Sequence, residues 1–268
     1  MSTQLWTTQI QAVIRLELKR FILARRWLGV YIIVAAPVGL MLMFSRMAPA
    51  RFDSVEQLSQ GYANLFQLFI LRFGIFISCA VVLSQAFRGD VLEKTLHFYL
   101  LAPVRREMVA VGKYLAGVIF ITALFSVSII ASHLLIYAAG PHFSAFYLEG
   151  PGLLHLFFYL TAAVLATIAY GSLFLLAGMF FKNPGIPALF LLGWESLNFA
   201  LPSLLQHISV IYYLQALLPV TIDRGPFAVV VEHLSPVFGI PILLAGTALM
   251  IAFSSWFVRY TQVTYSAD

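Results

Sequence analysis

The chain has 268 residues, of which 61% are hydrophobic and only 10% are charged. A soluble domain usually carries about 25% charged residues, so this composition excludes a water-soluble globular protein of this size. The formal net charge of +5 does not indicate a nucleic-acid partner, because the basic residues lie at the ends of apolar segments. We therefore expect an integral membrane protein surrounded by membrane lipid.

The N-terminal segment is amphipathic. Its apolar residues recur at helical spacing, and five basic residues lie within residues 1–26. The apolar positions are Trp6, Ile10, Val13, Ile14, Leu18, Phe21 and Ile22. The pattern predicts a helix over 4–25 that lies among anionic lipid headgroups. The alternative is a continuous extension of the first membrane span.

Six apolar segments follow, each long enough for a membrane span of about 20 residues. They are 27–47, 62–86, 110–138, 153–181, 187–210 and 237–258. Between the last two spans, residues 211–236 contain several prolines and the turn sequence Asp223-Arg224-Gly225-Pro226. We predict that this segment holds one or two short helices that dip into the outer leaflet. The expected fold is all-α, a single polytopic membrane domain over residues 1–268.

Lysine and arginine are distributed unevenly between the two predicted sides. If the N-terminus is cytoplasmic, twelve of the sixteen basic residues lie inside, three lie outside, and Arg72 lies within a span. Cytoplasmic segments of membrane proteins are enriched in lysine and arginine. We therefore predict a multi-pass protein of the plasma or inner membrane with both termini in the cytoplasm.

The sequence contains no motif for catalysis. Gly112-Lys113 lacks the upstream glycine of a phosphate-binding loop, and neither a His-Glu-x-x-His helix nor a Gly-x-Ser-x-Gly elbow is present. Cys79 is the single cysteine, and five of the six histidines fall in the predicted outer half. We expect no catalytic residue, cofactor site or metal site in this chain.

Two charged residues lie at membrane depth. Arg72 is about ten residues into the second predicted span, and Glu195 is about nine residues into the fifth. Charges at this depth usually face the protein interior or a polar cavity. One hypothesis pairs Arg72 with Glu195, or places both beside a substrate path with Asn198 one turn away. The alternative is that each is satisfied by local partners.

The predicted inner segment 87–107 combines charges with an apolar stripe. Asp90, Glu93 and Lys94 open a short helix, and Pro103 ends it before Arg105 and Arg106. The stripe consists of Leu92, Leu96, Tyr99 and Leu100. This pattern predicts a helix parallel to the inner membrane surface, presented to a cytoplasmic partner. The arginines could instead hold lipid phosphate.

Three short motifs follow one another from the inner segment into the next predicted span. The pattern acid-x-Thr-Leu is carried by Glu93, Thr95 and Leu96. Leu-Leu-x-Pro-Val-x-Arg and Gly-Lys-Tyr-Leu follow, carried by Leu100, Leu101, Pro103, Val104, Arg105 or Arg106, Gly112, Lys113, Tyr114 and Leu115. These motifs resemble the inner segment of ABC-2 type exporter permeases, in which a glycine often precedes the threonine where this chain has Lys94. The predicted N-terminal helix, six spans, inner termini and short re-entrant helices are similar to that family as well.

The resemblance implies a mechanism that needs a partner. The inner helix would be a coupling helix seated on a separate ABC ATP-binding subunit, which binds the ATP and Mg²⁺, and two permeases would form a homodimer or pseudo-dimer. The implied contact residues are Asp90, Glu93, Thr95, Leu96, Pro103, Arg105 and Arg106. Two alternatives remain open. One is an ion-coupled secondary transporter or channel that uses Arg72 and Glu195; the other is a membrane anchor that transmits force or signal to a cytoplasmic partner.

Overall fold

The computed structural model describes residues 3–47, 54–92, 105–138, 143–181, 183–198, 201–222 and 234–260. Within these ranges the protein is helical and contains no strand, which confirms the all-α prediction. We number the helices in chain order: α1 (Thr3–Leu23), α2 (Leu28–Met47), α3 (Val55–Asn64), α4 (Phe76–Leu92), α5 (Arg106–Ala138), α6 (Phe143–Tyr147), α7 (Gly152–Phe180), α8 (Gly185–Ser196), α9 (Ser203–Gln206), α10 (Val210–Gln215) and α11 (Pro236–Tyr260).

Among the described residues, five helical stretches are long and apolar enough to cross a membrane. They are Arg25–Arg46, Val55–Ala86, Arg106–Ala138, Gly152–Phe180 and Pro236–Val258. They correspond to the first four predicted spans and to the sixth. The protein is therefore compatible with a membrane-embedded fold, as its composition predicts.

The region of the fifth predicted span, 187–210, is not one continuous helix in the described residues. α8 has 12 residues, and at 1.5 Å per residue it is about 18 Å long, short of the ~30 Å hydrocarbon core. The short helices α9 and α10 follow it, with Pro202 immediately before α9. α10 and residues 216–222 form the described beginning of the predicted re-entrant segment, and residues 223–233 lie outside the described residues.

The second span contains a long π-helical segment. Ser54 caps α3 by accepting a hydrogen bond from the Gln57 amide, and the helix then continues through a π-helix, Leu65–Ile75, into α4. π-helices are rare, usually a single turn long, and are frequent at functional sites. This one places Gln67 and Arg72 among its buried residues.

Close packing through glycine holds α4, α5 and α7 together. A side chain at Gly178 of α7 would overlap the backbone of Ser84 in α4. Gly117 in α5 and Gly171 in α7 both face Leu83 at similarly short range. Helices in lipid associate through such small residues because the hydrophobic effect gives no drive between them. These three helices and the π-helical segment form the centre of the bundle.

α1 confirms the predicted N-terminal helix and packs along α5. Its buried residues are Val13, Glu17 and Phe21, spaced four apart on one face. Gly112 of α5 allows the close approach, since a methyl group there would lie 2.7 Å from the Val13 Cγ1. The apolar face of α1 therefore contacts protein, while Ile22 and Leu23 remain exposed.

Candidate functional site

Glu195 lies at the end of α8, and its carboxylate is held by three hydrogen bonds. Ser209 donates its hydroxyl to Oε2 at 2.6 Å, the Val210 amide donates to Oε1 at 2.9 Å, and the Ile211 amide donates to Oε2 at 3.3 Å. These donors form the start of α10, where unpaired amides and the helix dipole favour a negative charge. The carboxylate therefore fastens α10 to the end of α8.

Arg72 projects from the π-helical segment into the protein. Its side chain is 9% exposed, and Nε has no hydrogen-bond partner. Its charge interacts with Glu195 and with the Tyr170 hydroxyl, but no ion pair within 4.0 Å joins Arg72 to Glu195 among the described contacts. Glu195 is thus held by donors from residues 209–211, and Arg72 lies within electrostatic range of it.

Other polar side chains surround this region. Asn198 is 2% exposed, and its Oδ1 has no hydrogen-bond partner. Gln215 of α10 donates Nε2 to Gln67 Oε1 at 3.4 Å, and Gln67 donates Nε2 to the Val220 carbonyl at 3.2 Å. These bonds tie α10 and the residues after it to the π-helical segment. Arg72, Glu195 and Asn198 were predicted from the sequence, whereas the two glutamines were not, although their polarity within apolar segments was an available signal.

A cavity of about 450 Å³ opens beside Glu195, between α7, α8, α10 and α11. Most of its lining is apolar. The described lining residues are Ala169, Ser172, Leu173, Phe190, Leu191, Trp194, Glu195, His207, Ile208, Val210, Tyr213, Ile242, Leu243, Gly246, Thr247 and Met250. Its volume and its apolar lining with a few polar groups are typical of small-molecule sites.

A second cavity lies on the opposite side of α8. It measures about 550 Å³ and lies between α8 and α4, with Asn183 and Pro184 at one end. Ile186, Leu189 and Phe190 of α8 are each exposed, and Glu195 is the one buried residue of that helix. α8 is therefore anchored mainly at its C-terminal end.

The predicted contact residues for an ATPase fall only in part within the described chain. Asp90 lies in the last turn of α4, Arg105 precedes α5, and Arg106 begins it. Glu93, Thr95, Leu96 and Pro103 lie outside the described residues. The Arg105 guanidinium lies over the Trp6 ring, 5.1 Å from its centroid, which is a cation–π arrangement. This contact joins the end of the inner segment to α1.

A buried ion pair links α1 to α5. Lys113 Nζ bonds Glu17 Oε1, and the two side chains are 0% and 1% exposed. This pair was not predicted, because Lys113 was counted with the basic residues of the predicted inner side. A signal was present, since Glu17 is the only acidic residue before Asp53 and lies on the same face as Val13 and Phe21.

His133 lies in a buried aromatic cluster where α3, α5 and α7 meet α6. Its Nδ1 is hydrogen-bonded to the Tyr147 hydroxyl, and its Nε2 has no partner. Tyr62 packs edge-on against the ring, with centroids 4.7 Å apart, and Tyr137 stacks on Phe146 at 4.1 Å. Burial raises the pKa of the Tyr147 hydroxyl above its usual value. His133 is thus a buried core residue.

Comparisons with known proteins add no further assignment. No family model matches the chain, and neither a curated protein nor a solved structure matches it.

Proposed function

We propose that this chain is the transmembrane subunit of an ABC-2 type exporter, driven by a separate ATP-binding subunit. The observation that supports this proposal is the motif pattern of residues 93–115, on the predicted inner side between the second and third spans. The proposal includes six crossings, both termini in the cytoplasm and a dimeric permease. α8 to α10 would supply the remaining crossing, with α10 as the start of a re-entrant element.

The described contacts provide a route for movement from the inner segment into the bundle. α5 starts at Arg106, directly after that segment, and continues unbroken for 33 residues. The Glu17–Lys113 pair and the packing of Val13 on Gly112 fix α1 to the same helix. A partner that displaced residues 93–104 would therefore move α1 and α5 together. The nucleotide bound to that partner would then favour one of two conformations of the transmembrane helices.

Co-purification tests the proposal. A tagged chain expressed in its own host should bring down a P-loop ATPase, and ATP hydrolysis by the complex should depend on residues 92–100. Glu93→Ala should weaken coupling, and deletion of 92–100 should abolish it. Lys19→Gln is the matched control, since it removes one exposed basic charge from α1. Unchanged ATPase coupling after the deletion would contradict the proposed role of this segment.

An ion-coupled transporter is the second candidate, and buried Arg72 and Glu195 favour it. Charged side chains within a membrane commonly mark ion or proton pathways. Transport in proteoliposomes separates the two candidates. An ABC exporter requires ATP and its ATPase, whereas an ion-coupled transporter requires an ion gradient and stops when an ionophore collapses it.

A further inference from the structure

The cavity beside α8 has an unusual charge distribution for an apolar site. Glu195 is the only formally charged residue among its described lining residues, and none of those is lysine or arginine. Glu195 as a whole is 4% exposed, and it belongs to the lining of the cavity. A charge removed from water is costly unless a counter-charge or hydrogen bonds compensate it.

The compensation that Glu195 receives comes mainly from neutral groups. Three neutral donors point at its oxygens, and they stabilise the ionised form. Arg72 offsets part of the charge at a distance but makes no ion pair with it. The Tyr170 hydroxyl also acts on the carboxylate, and it too is neutral, so none of these groups cancels the negative charge. The wall of the cavity therefore retains an attraction for a positive charge.

Aromatic side chains reinforce this preference. Trp194, Tyr213 and Phe190 all line the same cavity. Aromatic faces attract cations, and the attraction is strongest for tryptophan and in sites shielded from water. The remaining lining is mostly aliphatic, with the polar side chains of Ser172, His207 and Thr247 among it, and it belongs mostly to α7 and α11. Such a wall suits the apolar groups of a bound molecule.

From this juxtaposition we propose that the cavity between α7, α8, α10 and α11 binds a lipophilic monocation. Its positive charge would lie near Glu195, and its apolar groups would fill the space beside Leu243 and Met250. The inference goes beyond the proposed exporter function and does not depend on it. Binding can be measured with this chain alone, without an ATPase.

Two ions of nearly equal shape and opposite charge test whether the cavity prefers a cation. The purified full-length chain in lipid nanodiscs is equilibrated with tetraphenylphosphonium or with tetraphenylborate. Empty nanodiscs of the same lipid measure partition into the bilayer, which is subtracted. We expect saturable binding of the phosphonium cation and none of the borate anion. Equal saturable binding of both ions would show an apolar site without charge preference and would overturn the proposal.

Two variants locate the site. Glu195→Gln keeps an acceptor oxygen but removes the charge, and it should weaken phosphonium binding at least tenfold. Gly246→Leu adds a side chain at a cavity-lining position where a Cβ meets nothing within 4 Å, and it should abolish binding by filling the space. Gly29→Leu is the matched control, since its Cβ is equally unobstructed and it does not line this cavity.

The outcomes separate a folding defect from a loss of binding. All three variants should elute as the wild-type species in size-exclusion chromatography, and Gly29→Leu should bind the cation normally. If Glu195→Gln does not fold, Gly246→Leu alone decides the location. Wild-type affinity in folded Gly246→Leu, or in folded Glu195→Gln, would refute the assignment to this cavity.

Discussion

At the residue scale, two buried glutamates are satisfied in different ways. Glu17 meets Lys113 on another helix, whereas Glu195 meets a hydroxyl and two backbone amides. The depth of Glu195 within an apolar segment predicted its burial. It did not predict the hydrogen-bond partners, which follow α9 in the sequence. The Glu17–Lys113 contact joins residues 96 positions apart, which hydrophobic periodicity does not detect.

The buried pair should be costly to break from one side only. Glu17→Leu or Lys113→Met alone leaves an uncompensated buried charge, and we expect a loss of about 3–5 kcal/mol of stability for each. The double variant removes both charges, so its stability should return close to that of the wild type. Thermal unfolding in detergent, followed by circular dichroism, measures all three proteins.

Lys19→Gln serves as the control for this cycle. Lys19 lies on the exposed face of α1, and its replacement should leave the unfolding temperature unchanged. If the single variants of the pair behaved like Lys19→Gln, the Glu17–Lys113 contact would carry no stability.

Exchanging the charges of Arg72 and Glu195 in a double variant should not restore the stability that each single variant loses. Arg72→Glu and Glu195→Arg each place a wrong charge in a buried region, and the double variant keeps the net charge. An arginine at 195 cannot accept the hydrogen bonds from the Val210 and Ile211 amides, so α10 loses its anchor. We expect low unfolding temperatures for both single variants and for the double variant. Recovery in the double variant would instead support a direct Arg72–Glu195 pair.

At the element scale, hydrophobic segments predicted most helices well and two features poorly. The apolar segment 237–258 lies within α11, because long uninterrupted apolar sequence leaves little choice of structure in a membrane. The π-helix Leu65–Ile75 was not predicted, since α- and π-helices place apolar residues in lipid equally well. The segment 187–210 was predicted as one span on hydropathy alone, which does not register the breaks around Pro202 and Ser209.

The contact between α4 and α7 depends on Gly178. Gly178→Ala adds a methyl group where the backbone of Ser84 already lies, and a backbone cannot rotate away as a side chain can. We expect the variant to lose about 1–3 kcal/mol of stability, the usual cost of overpacking a core. Thermal unfolding in detergent measures the loss.

Gly246→Ala is the matched control for that helix contact. It makes the same change inside α11, where nothing lies within 4 Å of the new Cβ, and alanine favours a helix over glycine. Its stability should equal or slightly exceed that of the wild type. A similar loss in both variants would indicate a general effect of the substitution rather than the α4–α7 contact.

At the scale of the whole molecule, the number of crossings determines the positions of the two termini. Within the part of the chain that the structure describes, five helical stretches can span the membrane by length and composition, and an odd number of crossings places the termini on opposite sides. The basic residues favour both termini inside, which requires an even number. In the proposed six-crossing arrangement, the region from α8 to α10 supplies one crossing from two or more shorter helices. Broken helices are stable in a membrane where side chains of other helices bond their free backbone groups, as Glu195 does for the Val210 amide and Gln67 for the Val220 carbonyl.

Thiol labelling of single-cysteine proteins decides between the two arrangements. Cys79 is buried and is the only cysteine, so Cys79→Ser gives a background without thiols. Into it we would introduce Ser2→Cys and Ser266→Cys at the termini, with Glu149→Cys as the outer reference and Asn183→Cys as the inner one. Because we predict six crossings, a membrane-impermeant maleimide should label only Glu149→Cys in intact cells and the other three in inverted vesicles. Labelling of Ser266→Cys in intact cells, with Ser2→Cys protected, would instead establish five crossings and make α8 to α10 a re-entrant element that returns to its own side.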